Sequence, residues 1–463
     1  MKKNPPDMDD EKSNRNNESA QSALTQALDE DVEASGHSTQ LVAYYDVLKK
    51  EYLIKNSHGW ITQTAAQFKR RLRRDGVSSK TSDGQMISPA EAEMLRIEDD
   101  HSVQYVGALA GYQEGFYETD GLRFLVSQSP CMVNPVKGDW EVLRKTFDAV
   151  LGDDAHDQRP FCFGWLQVAV KALRAGLFVP GQCLAIAGPA GSGKSLLQNL
   201  ITVMLGGRSA KPYQFMTGGT AFNSELFQTE HLMIEDEAPA SDYRSRRKLG
   251  TQIKQITVNE TQRLHAKGRE AVTVRVLWRL SITLNDEPED LHVLPTIDSS
   301  LEDKLILLRA YKRTLPMPTD SQEQKKAFWD ALMASVPAFL HWLIHDFVIP
   351  SELVSERFGV RHFHHPALVA SLIEMSNETE FLALIDRYIT LPFSGTASEL
   401  DAKLREEARR QADALLYFNG AAGAYLARLS KMHPLRVRKR RSAKQNQWEI
   451  SPQDDPPCDE NQD

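Results

Sequence analysis

Residues 183–195, CLAIAGPAGSGKS, constrain this chain more than any other stretch of it. Five apolar residues that read as a buried strand run into Gly188, Pro189, Ala190, Gly191, Ser192, Gly193, Lys194 and Ser195, and a helical pattern follows. This is G-x-x-x-x-G-K-S. Its glycines let the backbone curl until successive N–H groups point inward at a phosphate, and the dipole of the following helix adds to the attraction. Lys194 is expected to reach the β- and γ-phosphates, and the Ser195 hydroxyl to ligate Mg²⁺. The core therefore belongs to the α/β class, and the expected ligands are ATP and Mg²⁺.

Binding a nucleotide does not specify a reaction, because hydrolysis needs further carboxylates. Residues 231–237, HLMIEDE, form an apolar strand that ends in acids. On a strand neighbouring the loop, Asp236 would hold Mg²⁺ and Glu237 would polarise the attacking water. A shift by one residue, to Glu235 and Asp236, is the alternative. A third apolar run, WRLSITLND at 278–286, ends at Asn285, whose amide at a strand tip could hold the water or sense the γ-phosphate. Alone, Asn-Asp after a strand is an ordinary turn. The order and spacing give it weight: 42 residues separate Lys194 from Asp236, and 49 separate Asp236 from Asn285.

The compact set GPAGSGKS, LMIEDE and LSITLND resembles that of superfamily 3 helicases, and more closely the helicase part of phage and plasmid primase–helicase proteins. The resemblance covers residues 120–315 well and the C-terminal region more loosely. It implies an AAA+ type core, a homo-oligomeric ring, a hexamer in this family, and 3′ to 5′ movement on single-stranded DNA. Between the second and third motifs the family has a hairpin that projects into the ring channel. Here His265, Lys267 and Arg269 surround Gly268 at its tip, and Val272, Val274 and Val276 alternate as a strand after it. Lys254 falls where the family has a base that reaches a neighbour's nucleotide. For the arginine finger the best-matching position is Lys304, which can supply the charge but not the bidentate fork. Arg309 or Arg313 could replace it.

Net charge hides the distribution that matters. The chain carries −8 overall, but residues 1–36 and 451–463 each carry −5, which leaves +2 on residues 37–450. Both tails are polar and read as disordered. A helix capped by Thr62 and carrying Phe68 and Leu72 on one face also bears Lys69, Arg70, Arg71, Arg73 and Arg74, either a solvated face or a nucleic-acid contact. Residues 103–127 read as strands with a turn at Asp120-Gly121. Residues 321–390 read as all-helical, interrupted by Pro337 and Pro350. The pairs His341 and His345, and the cluster His362, His364 and His365, lack a metal-site pattern and read as packing or turn residues. Past Thr396, helices are followed by two strands, and residues 431–444 hold seven bases and no acid. Helices before a basic hairpin suggest a winged helix in which Arg436, Arg438, Lys439, Arg440 and Arg441 contact DNA.

The expected architecture is an α/β P-loop NTPase core, AAA+ and superfamily 3 helicase-like, with a helical N-terminal region and a C-terminal winged-helix domain. Its divisions are a disordered acidic leader at 1–38, an α+β accessory domain at 39–135, the ATPase at 136–315, a helical domain at 316–392, the winged helix at 393–450 and an acidic tail at 451–463. No run of 18 apolar residues and no N-terminal apolar segment occurs, so a cytoplasmic protein without membrane contact is expected. The four cysteines form no CxxC. The expected activity is ATP-dependent DNA unwinding in the replication of a phage, plasmid or integrated element, acting on single-stranded and forked DNA. The N-terminal 150 residues lack a paired-carboxylate strand motif, so any primase would be a separate protein. The alternative is an AAA+ loader or regulator that hydrolyses ATP without unwinding.

Overall fold

The computed structural model describes residues 42–119, 121–153, 155–235, 243–265, 271–291, 293–295, 297–374, 377–441 and 446–452. The expected leader lies outside them, as do all but the first two residues of the expected tail. The chain separates into two units, residues 42–106 with 115–127, and residues 107–114 with 128–452.

The first unit is α+β rather than helical. Strands β1 (Ala43–Asp46), β2 (Glu51–Asn56) and β3 (Gly59–Gln63) form an antiparallel meander. Helices α1 (Ala65–Arg74) and α2 (Pro89–Asp100) follow, then β4 (Ser102–Val103), which pairs parallel to β1. Alternation along β2 explains the layering. Tyr52 and Ile54 pack with Phe68, Leu72 and Ile97 of the helices, and Leu53 points to the other face with Val103 and Leu125. Thr62 does not cap α1, because it continues β3 opposite Leu53. The cap is Thr64, which closes a capping box with Gln67. Lys69 is 2.8 Å from Glu91, and Arg74 is 2.9 Å from Asp75, so part of the basic face is neutralised within the unit. A second sheet joins β5 (Tyr105–Gly107), β6 (Gly115–Thr119) and β7 (Leu122–Val126) in the order β5-β7-β6.

In the second unit, α3 (Glu141–Leu151) and α4 (Arg159–Ala175) precede β8 (Cys183–Ala187) and α5 (Lys194–Met204). Then come β9 (Ser209–Ala210), β10 (His231–Glu235), α6 (Tyr243–Val258), the hairpin β11 (Thr261–Leu264) and β12 (Val272–Arg275), β13 (Arg279–Leu284) and β14 (Leu305–Arg309). A five-stranded parallel sheet runs in the order β14-β8-β13-β10-β9. Helices cover it, and β8 and β14 accordingly read as near-continuous apolar runs, whereas β13 alternates polar and apolar residues that are all buried.

Residues beyond 316 do not all stand apart from this sheet. Helix α7 (Gln322–His341) places Phe328, Leu332, Val336 and Phe339 in one core with Trp165, Leu166, Leu197 and Leu308. Pro337 lies inside α7 and does not end it. Gln322–Asp346 is the one span among the described residues long and apolar enough to cross a membrane, yet its buried face is part of this core. The expected all-helical stretch contains a short hairpin, β15 (Val354–Ser355) with β16 (Gly359–Val360). Gly359 turns it at φ +76°, and Val360 packs where a Cβ on Gly164 of α4 would stand, 2.9 Å from its Cγ2.

Helices α8 (Pro366–Glu374) and α9 (Asn377–Tyr388) lead into β17 (Phe393–Gly395), α10 (Ala397–Glu407), α11 (Arg409–Leu415), α12 (Ala421–Met432), β18 (Val437–Arg441) and β19 (Asn446–Ile450). The antiparallel sheet here has the order β17-β19-β18. Phe381 and Ile385 of α9 share its core with Leu404, Leu426, Val437 and Trp448, so the boundary expected at 392 runs through one hydrophobic cluster.

Candidate nucleotide-binding site

The loop between β8 and α5 is shaped by close approaches that only glycine permits. A Cβ on Gly188 would lie 2.3 Å from the Ala310 carbonyl oxygen, just past β14. Gly193 caps α5 at φ +89°, and a Cβ there would meet Val150 at 2.9 Å. Lys194 opens the helix and is 6% exposed. Its Nζ donates to the carbonyls of Gly188 at 2.7 Å and Pro189 at 3.0 Å, and to Asn285 Oδ1 at 3.1 Å. Ser192 Oγ is buried inside the loop and has no hydrogen-bond partner among the described residues. Ser195, one residue into the helix, is exposed. A closed loop with an ammonium across it and an unsatisfied buried hydroxyl within it fits a phosphate chain.

The strand carrying the acids is not the loop strand's neighbour. β13 lies between β8 and β10, and this is what brings Asn285, at its tip, against Lys194. Asn285 Nδ2 in turn donates to Asp290 at 3.0 Å, which orients the amide with its oxygen toward the lysine. Glu235 ends β10 and lies 3.4 Å from Lys211. Asp236 and Glu237 fall outside the described residues.

Beneath the loop lies a polar chain that the motifs did not announce. Gln198, one turn into α5, is fully buried. It donates to Ser281 Oγ at 2.8 Å and to the Ile234 carbonyl at 3.3 Å, and accepts from Thr283 Oγ1 at 3.1 Å. His231 joins Ser281 Oγ at 2.7 Å to Thr202 Oγ1 at 2.7 Å. The helix that begins with Lys194 is thus tied by buried hydrogen bonds to both strands whose ends approach it. The only sequence signal was polar residues inside apolar runs, Ser281 and Thr283 in LSITL and His231 in HLMIE.

Burial pushes His231 down to about 3, so it is neutral in the folded protein. Below the ordinary value of 6.5 the unfolded chain binds a proton that the folded one does not, so stability falls as pH drops from 6.5 toward 3. Between pH 6.5 and about pH 5 this residue is expected to remove about 2 kcal/mol. Urea unfolding of a His231→Gln variant at both pH values should show a pH dependence smaller by that amount. Identical dependence in the two proteins would exclude His231 as the source.

The other expected cations have partners in the same chain. Lys304 pairs with Asp303 at 2.6 Å, Arg309 with Asp286 at 3.6 Å, and Lys254 of α6 with Asp298 at 3.7 Å and with Ser300 Oγ. Arg313 lies over the Tyr311 ring at 5.3 Å. His265 ends β11. Its N–H donates to Asn223 Oδ1 at 2.7 Å, and its ring lies 5.4 Å from that of Phe222. Phe222, 43% exposed, is an aromatic that the motif reading passed over. A cavity of about 400 Å³ adjoins it, lined by Phe215, Asn223, Arg263 and His265 among others. Lys267 and Arg269 fall outside the described residues. On the C-terminal hairpin, Arg436 is engaged by Asp386, and Arg440 lies 3.0 Å from Glu449. Arg438 is exposed, and Lys439 lies over Trp448 at 5.6 Å. Arg441 ends β18. Of the histidines, His365 is buried between Asp153 and Tyr311, and His364 bonds the Leu305 carbonyl at 3.0 Å.

A sequence family described as of unknown function, DUF5906, matches residues 186–300, from within the loop strand to beyond β13. No curated protein matches the sequence. Among solved structures, the C-terminal region of NrS-1 matches with a TM-score of 0.50 at 11% identity, over 89% of this chain and 97% of that one. A second apo structure of that region gives 0.50 at 13% identity, over 89% and 96%. The chain therefore shares its mixed α/β fold with the NrS-1 C-terminal region. A structure of the SCCmec type IV Cch, described as an active helicase, is far more distant, with a TM-score of 0.29 at 10% identity, over 85% and 74%.

Proposed function

We propose that this chain is an ATP-dependent DNA helicase of replication, from a phage, plasmid or integrated element, built on a superfamily 3, AAA+ type core. The observation that carries the reading is the Lys194 ammonium held jointly by two loop carbonyls and by Asn285 at the tip of the adjacent strand. A lysine so placed couples phosphate binding to a polar group positioned to sense the terminal phosphate. The backbone of residues 188–195 holds the phosphate chain, with the Ser192 hydroxyl as a further donor. Ser195 and Asp236 hold the metal ion, and Glu237 takes the proton of the attacking water. Held there, Mg²⁺ would supply positive charge to offset that of the phosphates.

In this reading subunits form a ring, a hexamer by family resemblance, and Lys254 acts across the interface. The β11–β12 hairpin, with His265, Lys267 and Arg269, follows single-stranded DNA. Residues 377–450 have the element order helix, strand, two helices, helix and a two-stranded wing, and we read them as a winged helix. With Arg436 and Arg440 engaged by acids, Arg438 and Lys439 are the bases best placed for phosphates. The site of action is the cytoplasm, and priming is left to a separate protein.

The test is ATP hydrolysis with and without single-stranded DNA, followed by strand separation on a forked duplex. DNA-stimulated hydrolysis with unwinding is the expected result. Stimulated hydrolysis without strand separation would replace the helicase with a loader or regulator, and no hydrolysis in either condition would overturn the motor reading.

A further inference from the structure

We propose that Lys312 supplies a second cation to the phosphates of a nucleotide bound in its own subunit, from a segment that carries no motif. The proposal rests on the nucleotide reading above. Immediately after β14, the Ala310 N–H donates to the Ala187 carbonyl at 2.7 Å and the Tyr311 N–H to the Val150 carbonyl at 2.8 Å. The segment is therefore stitched to the strand that feeds the loop and to the end of α3.

Tyr311 is held by its side chain as well. Its hydroxyl donates to Asp153 Oδ2 at 2.7 Å and lies 3.0 Å from His365 Nε2, which is itself 2.9 Å from the same carboxylate oxygen. Burial and the bond to Asp153 push the phenol up to about 12, so it remains a donor at neutral pH. His365 is 3% exposed, and its N–H donates to the Leu307 carbonyl at 2.9 Å. Three side chains from three parts of the chain thus fix the position of the residue next to Lys312.

The neighbouring cations are occupied. Lys304 and Arg309 have the acids described above. Arg313 lies over Tyr311 and over the end of α3, with Nη1 3.1 Å from where a Gly152 Cβ would stand. Lys312 differs from them: it is exposed, has no ion pair among the described residues, and places Nζ 3.9 Å from where a Cβ on Gly191 would lie. Its charge therefore sits at the rim of a loop that already presents Lys194 and the positive end of α5. Two ammonium groups beside a helix N-terminus repel one another unless a multiply charged anion lies between them. A nucleotide polyphosphate has that charge. Because the segment is bonded to the loop strand of the same chain, the contact is made in cis.

The experiment is titration of wild type, Lys312→Met and Lys312→Arg with methylanthraniloyl-ATP, with thermal unfolding as a control on folding. Lys312→Met should bind about tenfold more weakly, the loss of one charge-assisted hydrogen bond, with an unchanged melting temperature. Lys312→Arg should recover most of the affinity. Equal binding by wild type and Lys312→Met would overturn the proposal and leave the nucleotide site intact. No binding by wild type would overturn the nucleotide reading itself, and this proposal with it. Mixing Lys312→Met with Lys194→Ala at subsaturating ATP separates cis from trans: no more hydrolysis than the sum of the two proteins alone is expected, and hydrolysis above that sum would mean that Lys312 serves a neighbour, contrary to the cis assignment.

Discussion

Lys194→Ala is expected to lower ATP hydrolysis by about 10²–10³-fold, with nucleotide binding weakened in parallel. The ammonium is nearly buried and bridges the two ends of the loop, through the Gly188 and Pro189 carbonyls, to Asn285 just past β13. Alanine removes the charge proposed to face the phosphates and also releases the Asn285 amide from one of its two partners among the described residues, the other being Asp290. Little of the fold depends on it. The chain from Gln198 to Ser281 and His231 lies a turn deeper and keeps α5 against the sheet. A steady-state hydrolysis assay with a urea-unfolding control checks both statements. A variant that hydrolyses ATP within tenfold of wild type would show that the loop is not the catalytic site.

Gly188→Ala is expected to act on stability instead. The added methyl would stand 2.3 Å from the Ala310 carbonyl oxygen and 2.8 Å from the Ala310 Cβ. Neither neighbour can rotate away, since one is backbone and the other has no rotamer. Relief requires β14 to move from β8, and the two strands are hydrogen-bonded from Cys183 to Ala187. Overpacking of this kind costs about 1–3 kcal/mol, and the upper end applies where backbone must shift. The shift in urea midpoint measures it. Gly138→Ala is the matched control, because its methyl would meet the Ala338 Cβ at an ordinary 3.4 Å and should leave the midpoint almost unchanged. Equal midpoints for Gly188→Ala and wild type would mean that β14 yields without cost.

The two variants separate what the loop does chemically from what it does mechanically. Its lysine is the group proposed to meet phosphate, whereas its first glycine is a spacer that lets the segment carrying Tyr311 and Lys312 lie against the loop. Lys312 is thereby brought to the rim of a motif more than a hundred residues earlier in the sequence.

Local features were legible in the residues alone. Gly188 to Ser195 announced their loop because glycine spacing and the lysine are a contiguous chemical pattern, and the strand Cys183–Ala187 announced itself as an unbroken apolar run, His231–Glu235 and Arg279–Leu284 as largely apolar runs carrying His231, Ser281 and Thr283. Tertiary structure decided what depends on which strand lies beside which. It placed β13 between β8 and β10, and so Asn285 against Lys194. It put α7 into the core beside the sheet, because an apolar helix face does not name the surface it will bury against. It assembled Gln198, Ser281, Thr283, Thr202 and His231 into one buried chain, because hydrogen bonds between residues up to 85 positions apart leave no mark in local periodicity. It also gave Lys304, Arg309 and Arg436 their acids and left Lys312 without one among the described residues. A charge in a sequence has no partner until the fold supplies or withholds it.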